Sequence, residues 1–372
     1  LATTTSLPAA DYIVLAIYLV GMIALGAWLS RRQKSGEEYF LAGRSMPWMA
    51  VGVSVIASIL SSITYLSEPG EVWRSGVTHI TGKMLAIPVE MALVWLVCIP
   101  FMMRFGFTSA YEYLEHRFGA RTRTLGVALF LVLAVCWMGV VVLVSSRMLA
   151  PVAGVPLWAV VVAVGLVATV YTILGGLRAV IWTDVVQVIL LVGGALFVVG
   201  FIAIKTGSGL GDWYSATQTY LNASGPKEAL PFFSLDPTVR ATVVTVAVHM
   251  CVWHVCTHTA NQMTVQRYFS TGGMVEARRS FVAGSLLGVG INLLLMVAGL
   301  AVLFYYQKTM GGQMPALVDP EKKKTFDLAY PSFVVDHLSG GLAGAMLAAI
   351  LAAAMSSIDS GVNSIATVLT IE

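Results

Sequence analysis

The sequence predicts an all-α polytopic membrane protein, and three observations lead to this fold class. Of the 372 residues, 58% are hydrophobic and 11% are charged, with a mean hydropathy of +0.83. Soluble domains carry about 25% charged residues. Apolar segments of spanning length recur along the chain, and basic residues lie mostly at their ends. Because such segments satisfy their backbone groups as helices, these features exclude a water-soluble fold.

Nine apolar segments approach or exceed the roughly 20 residues that a spanning helix needs. They lie near residues 10–30, 47–70, 79–103, 124–150, 155–175, 183–204, 239–260, 277–306 and 340–369. The first is long enough to span, and no cleavable signal peptide is evident. The long connections, about 206–238 and 307–339, are expected to form short surface helices or lids.

Positive charge divides unequally between alternate connections and predicts the orientation. One set of connections holds twelve basic residues: Arg31, Arg32, Lys34, Arg44, Arg104, Arg117, Arg121, Arg123, Arg178, Arg267, Arg278 and Arg279. The short loops of the other set hold Arg74 and Arg147, and charge in long loops counts for less. We therefore expect the N-terminus outside a cell membrane and the last span ending inside. Basic residues at helix ends give no reason to expect a nucleic-acid partner.

The last span carries a polar stripe. Ala353, Ser356, Ser357 and Ser360 fall at helical spacing and share one face. Hydroxyls at membrane depth are unfavourable unless they face a cavity, a partner or an ion. Hard oxygen ligands on one stripe suit an alkali cation, although serine stripes also serve as helix-packing faces.

Two other spans are irregular. The second begins at Pro47, carries repeated Gly, Ser and Thr, and is expected to end at residues 68–70. A helix can unwind at membrane depth only where its freed backbone groups line a cavity or bind something, and a serine-rich packing face is the alternative. The seventh span carries His249, His254 and His258, but no acidic residue lies nearby in sequence and its cysteines show no metal-site spacing. Two breakable helices at corresponding places indicate an inverted-repeat transporter.

Five blocks resemble the sodium:solute symporter family. They are residues 38–48 (EYFLAGRSMPW), 108–118 (TSAYEYLEHRF), 175–187 (GGLRAVIWTDVVQ), 261–268 (NQMTVQRY) and 352–357 (AAAMSS). The segment 69–76 (PGEVWRSG) is similar to the branch that carries monocarboxylates, iodide, vitamins and sialic acid.

The resemblance implies a leucine-transporter-type inverted repeat. Residues 1–46 would form a leading helix and inner loop, 47–204 the first repeat (core helices 1–5), 205–238 an outer loop, and 239–372 core helices 6–8 of the second repeat. The family has two more core helices, so we expect the fold to be incomplete at the C-terminus. These residues alone are not expected to transport.

The resemblance also implies sodium ligands. The family's main site matches the carbonyls of Ala57 and Leu60 together with Ala353, Ser356 and Ser357. Sodium there would favour an outward-open state and complete the solute pocket.

A second site, found in some members, matches Asp184, Ser356, Asp359 and Ser360. Asp359 stands where those members carry a hydroxyl, so it would either strengthen the site or carry a proton. Asp184 could instead cap a helix N-terminus after Thr183.

Solute-binding positions match less closely. The corresponding residues are Ser61, Thr64, Lys83, Trp137 and His254, with His79, Thr257 and His258 nearby. Sugar carriers of the family have a carboxylate at the position that matches Lys83 and an asparagine at the position that matches His254. Sialic-acid carriers have an arginine at the position that matches Trp137. The chain therefore matches neither pattern. Lys83 would receive a solute carboxylate or extend its ammonium to the interface, with Glu68 or Glu90 as possible structural partners.

The expected function is a sodium-coupled symporter of a small polar organic solute, with an organic anion favoured. Its partners are then the solute, Na⁺ and the lipid bilayer. The alternatives are a solute-sensing domain of a signalling protein and a symporter of sugars or other neutral solutes. An enzyme is disfavoured because no nucleophile–base pair is placed together, and a channel because no pore-loop motif is present.

Overall fold

A computed structural model describes residues 8–31, 35–224, 231–236, 238–239, 242–315, 318–319, 323–338 and 340–371. These residues form helices and connecting turns, with no strand among them. The helices are α1 (Ala9–Ser30), α2 (Gly36–Leu41), α3 (Trp48–Ile59), α4 (Ser62–Ser75), α5 (Thr78–Leu93), α6 (Ile99–Met103), α7 (Glu112–Phe118), α8 (Ala120–Ala153), α9 (Leu157–Thr206), α10 (Leu210–Ser224), α11 (Val243–Ala260), α12 (Gln262–Phe269), α13 (Met274–Lys308), α14 (Ala329–His337) and α15 (Leu342–Ile371). A π-helical turn, Val94–Cys98, joins α5 to α6, and 3₁₀ turns cover Ala42–Arg44 and Lys323–Leu328.

Seven described helices are long and apolar enough to cross a membrane, or eight if the bent pair Gly36–Arg44 and Trp48–Ile59 counts as one span. The nine predicted spans differ from this number for two reasons. The spans at 155–175 and 183–204 are continuous in α9, which bends at Gly176 (φ 52°, ψ −159°). The span at 47–70 is divided between α3 and α4, each too short to cross alone.

The predicted break in the second span lies between α3 and α4. Leu60 and Ser61 have extended backbone, with ψ angles of 91° and 170°. The predicted end at residues 68–70 is wrong, because α4 continues through Pro69 to Ser75. Close packing explains this continuation: a Cβ on Gly299 of α13 would lie 2.7 Å from the carbonyl oxygen of Pro69. The neighbouring helix therefore supports α4 where proline removes a backbone donor.

A second break separates α11 from α12. Asn261 has extended backbone (φ −86°, ψ 114°), and its side-chain oxygen accepts the backbone N–H of Met263 at 3.0 Å. The break expected in the seventh span is therefore present, and the asparagine side chain caps the helix that follows it.

The last helix, α15, lies at the centre of the bundle. Within its most apolar 18-residue stretch, 89% of the residues are buried. It packs against α1, α8 and α9. Asp11 of α1 accepts the backbone N–H of Gly344 at 2.7 Å and so caps the first turn of α15. This central position brings the polar stripe of α15 against α3, α9 and α12.

The connections partly match their predicted roles. The long loop near 206–238 contains α10, and the one near 307–339 contains the Lys323–Leu328 turn and α14. The short helices expected in these loops are therefore present. Arg267, assigned to an inner loop, is instead 1% exposed within α12, because its guanidinium has buried partners. Arg32 and Lys34 lie outside the described residues, and the orientation expected from the basic residues stays a prediction.

Candidate sodium and solute sites

The break in the first core helix faces the polar stripe of α15. The hydroxyl of Ser356 donates to the carbonyl oxygen of Ala57 at 3.1 Å. In a continuous helix that carbonyl would accept the N–H of the residue four positions on, Ser61, but Ser61 is extended. The unwound backbone therefore exposes a carbonyl oxygen at membrane depth, and a hydroxyl from α15 satisfies it.

Four of the five residues predicted for the main sodium site come together here. Ala57, Leu60, Ala353 and Ser356 line one small cavity. Ser357 is fully buried beside Ser356, and its hydroxyl has no hydrogen-bond partner within the described part of the chain. Backbone carbonyls at a helix break and serine hydroxyls are hard oxygen ligands, the type that coordinates Na⁺ in transporters of this kind. The available donor atoms therefore fit sodium.

Two of the residues predicted for a second site, Asp184 and Ser360, contact the guanidinium of Arg267. Its Nη2 lies 2.9 Å from Asp184 Oδ2 and donates to Ser360 Oγ at 2.6 Å. Its Nε donates to Ser54 Oγ at 2.6 Å, and Ser54 donates to the same Asp184 oxygen at 2.5 Å. Helices α3, α9, α12 and α15 are thus joined through one buried ion pair.

Asp359 adds a second carboxylate to this cluster. Its Oδ2 accepts the hydroxyl of Tyr171 at 2.7 Å, and its Oδ1 accepts Ser360 Oγ at 3.2 Å. Asp184 Oδ1 is buried without a hydrogen-bond partner in the described structure. Arg267 pairs directly with Asp184 and is linked to Asp359 through the Ser360 hydroxyl, and the free Asp184 oxygen offers a ligand to a further cation.

The capping role considered for Asp184 is not supported. Asp184 lies about two turns beyond the bend at Gly176, inside α9. Its bound oxygen accepts hydrogen bonds from the side chains of Ser54 and Arg267.

The predicted solute residues divide between two cavities that share Ile59. Lys83, His254 and His258 line the first cavity, together with Glu90 and Asn292. The second cavity is lined in part by Trp137, Trp253, Thr257 and Asn261. Of the other predicted residues, Ser61 is buried at the helix break, Thr64 is half-buried in the first turn of α4, and His79 lies in the first turn of α5.

Lys83 is paired within the protein. Its ammonium contacts Glu68 and donates to Asn292 Oδ1 at 3.2 Å. Glu68 also lies 3.4 Å from His79 Nδ1. Glu68 is therefore the structural partner of Lys83, and Glu90 pairs with His254 instead, at 2.5 Å between Oε2 and Nδ1.

Several site residues were missed from the sequence. Arg267 stands in the block 261–268 but was counted as a loop charge, because its position near the end of a span resembles that of other inner basic residues. Ser54, Tyr171 and Asn292 lie within predicted spans, and their long-range partners have no sequence signal.

Comparisons with known proteins agree with this arrangement. The sodium:solute symporter family matches residues 39–372. The chain is 34% identical to the sodium/sialic acid symporter SiaT of Proteus mirabilis (strain HI4320), covering 96% of this chain and 69% of that protein. It is 32% identical to the human (Homo sapiens) sodium-coupled monocarboxylate transporter 1, covering 97% and 58% respectively.

A solved structure of a sodium-coupled symporter also matches this chain. A substrate-bound, outward-open Na⁺-coupled sialic acid symporter superposes with a TM-score of 0.85 at 32% identity, covering 98% of this chain and 73% of that one. This likeness confirms the leucine-transporter-type fold and the expectation that the protein is a transporter rather than an enzyme. The chain belongs to the sodium:solute symporter family.

Proposed function

We propose that this sodium-coupled symporter carries a small polar organic solute across the cell membrane, with its N-terminus outside, and binds sodium between α3 and α15. The observation that carries the proposal is the hydrogen bond from Ser356 to the Ala57 carbonyl across the helix break. The same carbonyl oxygen is available to a cation once the hydroxyl turns its hydrogen away.

Sodium binding at this position would join two helices. The oxygens of Ala57 and Leu60 belong to the broken helix, and Ala353, Ser356 and Ser357 belong to α15. A cation that contacts both sets favours the conformation in which the two helices are close, because only that conformation supplies all the ligands. The same conformation holds Ile56 and Ile59, which line the first solute cavity. Sodium and solute affinities are therefore coupled, each raising the other.

The cluster around Arg267 supports a second sodium ion. When both Asp184 and Asp359 are ionised, they carry two negative charges against the single positive charge of Arg267, and a proton on Asp359 is the alternative to a cation. An uncompensated charge at membrane depth is strongly unfavourable, and a monovalent cation at Asp184 Oδ1 would neutralise it. Ser356 and Ser360 would be the neighbouring hydroxyl ligands.

The two breaks support the inverted-repeat organisation. Leu60–Ser61 interrupts the first core helix of the segment 47–204, and Asn261 interrupts the first of the segment 239–372. Residues 1–46 then form the leading helix and inner loop, and 205–238 the outer loop between the repeats. Broken helices in corresponding positions are typical of transporters built from such repeats.

Uptake into proteoliposomes containing the full-length protein tests this function. An inward sodium gradient should drive accumulation of a radiolabelled solute from a panel of carboxylates, sugars and amino acids, and a potassium gradient should not. A solute-sensing domain would bind one member of the panel without moving it, and that outcome would contradict the symporter. Accumulation of a neutral member alone would replace the organic anion with a sugar or other neutral solute.

A further inference from the structure

A continuous groove on the surface of the helix bundle has one polar end and one apolar end. The polar end is a cavity of about 410 Å³ between α1, the turn that precedes α3 and the part of α9 after its bend. The apolar end is a cavity of about 640 Å³ between α3, α9 and α13. Pro47 and Trp182 line both cavities, so the two form one groove along α9, called the α9 groove below.

The polar end lies at the level where the chain meets the membrane surface. Because α9 bends at Gly176, between the predicted spans 155–175 and 183–204, the residues just after the bend connect two spans. Trp28 in the last turn of α1 and Trp182 in the second turn after the bend are 55% and 39% exposed. Tryptophan is enriched at the level of lipid headgroups, so the polar end opens at that level.

Arg178 supplies the charge at the polar end. It is half-buried, and its Nη2 donates to the carbonyl oxygen of Ala42 at 3.3 Å. Among the described residues no carboxylate pairs with Arg178, and none of the residues that line this cavity is acidic. A guanidinium has five N–H donors, so the donors that Ala42 does not use remain available to an anion.

The apolar end leads from this cation into the membrane. Every residue that lines it is aliphatic, aromatic, methionine, proline or glycine. On α9 it extends from Trp182 to Leu196, about 21 Å along the axis at 1.5 Å per residue. The hydrocarbon layer of one leaflet is about 15 Å thick. Ile189 and Met49, which line the groove from α9 and α3, are 65% and 58% exposed, so an acyl chain of one leaflet can enter it.

The two ends together fit one class of ligand. A guanidinium at headgroup level receives a phosphate, and an apolar groove below it receives an acyl chain. We propose that the α9 groove binds one anionic phospholipid, with its phosphate on Arg178 and an acyl chain between α3 and α9. A zwitterionic headgroup binds less tightly, because no carboxylate at this end receives its cation while the guanidinium repels it.

This lipid site is separate from the proposed transport site. None of the residues predicted to bind sodium or solute lines either cavity. The groove does include Pro47 and Val53, at the beginning of the broken helix. A phospholipid seated there contacts that half of the helix and α9 at once, so its binding stabilises the described arrangement of the two helices.

Native mass spectrometry of the delipidated full-length protein in detergent measures this binding. The probes are phosphatidylglycerol and phosphatidylcholine with the same oleoyl chains, and glycerol 1-phosphate is the soluble competitor. The first phosphatidylglycerol should bind about fivefold more tightly than phosphatidylcholine, the contribution of one basic residue near the membrane surface. Glycerol 1-phosphate at the same concentration should not compete, because it has no acyl chain.

Variants of Arg178 test the polar end. Arg178→Gln should lose the preference for phosphatidylglycerol, and Arg178→Lys should keep most of it because the charge remains. Arg104→Gln is the matched control, since Arg104 follows α6, is exposed and does not line the groove. It should keep the wild-type preference.

Gly193→Phe tests the apolar end without changing any charge. No atom lies within 4 Å of the Cβ position at Gly193, so the ring fills the groove without displacing a neighbour. This variant should weaken the first phosphatidylglycerol several-fold. Gly200→Phe is its control, because Gly200 lies two turns further along α9, is equally open and does not line the groove.

Equal affinity of the wild type for the two lipids would overturn the proposal, and so would wild-type affinity for phosphatidylglycerol in Arg178→Gln or Gly193→Phe. Competition by glycerol 1-phosphate would indicate a site for soluble phosphate and would also overturn it. Melting temperatures in lipid-free detergent show whether the variants are folded. If Arg178→Gln is not, Gly193→Phe decides alone, since it removes no contact within the protein.

Discussion

Ser356 and Ala57 are joined by a hydrogen bond of 3.1 Å that links the last described helix to the broken first core helix. The acceptor is a backbone carbonyl freed by the extended conformation at Leu60 and Ser61. This contact connects the two repeats at membrane depth, at the position where the family resemblance implies the main sodium ligands. Helix geometry and ion coupling therefore depend on the same few atoms.

Close packing between α3 and α13 should hold the broken helix in place. A Cβ on Gly284 would lie 2.6 Å from the backbone oxygen of Gly52, so Gly284→Ala forces the two helices apart. We expect a loss of about 1–3 kcal/mol in stability, measured as a lower melting temperature in detergent. Gly290→Ala on the same helix is the matched control, because no atom lies within 4 Å of its Cβ position. Equal melting temperatures for the two variants would contradict this packing.

The buried ion pair between Arg267 and Asp184 should stabilise the fold and affect sodium binding. Asp184→Asn leaves the guanidinium without its main carboxylate partner, and Arg267→Met leaves the carboxylates without a cation. Each should lower stability by about 3–5 kcal/mol. The double variant should lose less stability than the two single variants together, because neither charge then remains buried without its partner.

Sodium binding separates the structural role of this pair from a ligand role. If Asp184 holds a second ion, Asp184→Asn should lower the number of sodium ions bound, measured by equilibrium binding of ²²Na⁺. An unaltered sodium titration and stoichiometry would reassign Asp184 to structure alone.

The pairing of Lys83 with Glu68 should control its availability to solute. Glu68→Gln removes the carboxylate that holds the ammonium, so we expect tighter binding of an anionic solute and no change for a neutral one. Lys83→Gln should weaken the anion more than the neutral solute and lower the melting temperature, because Glu68 stays buried. If both solutes respond equally to Lys83→Gln, the residue acts in packing or gating.

Local sequence was enough to predict the elements that define the site. Small and polar residues before Ser61 and the polar residues of the seventh span indicated helices that break, and helical spacing placed Ser356, Ser357 and Ser360 on one face. These features depend on backbone preference and periodicity within one segment, so a single sequence carries them.

Pairings between distant segments could not be predicted in the same way. Arg267 meets Asp184 across 83 positions of sequence, and Ser54 meets the same carboxylate across 130. The choice between Glu68 and Glu90 as the partner of Lys83 depended on how α4 turns back onto α5. The continuation of α4 through Pro69 depended on contacts with α13, which local propensity does not include.

Direct sodium binding to the full-length protein tests the central claim most closely. ²²Na⁺ binding should be measured for the wild type and for Ser356→Ala combined with Ser357→Ala. The double variant should lose the main site and the sodium-dependent rise in melting temperature. Ser364→Ala, a buried serine further along α15 that bonds to Gln266, should keep both. Unchanged sodium binding in the double variant would contradict a site between α3 and α15.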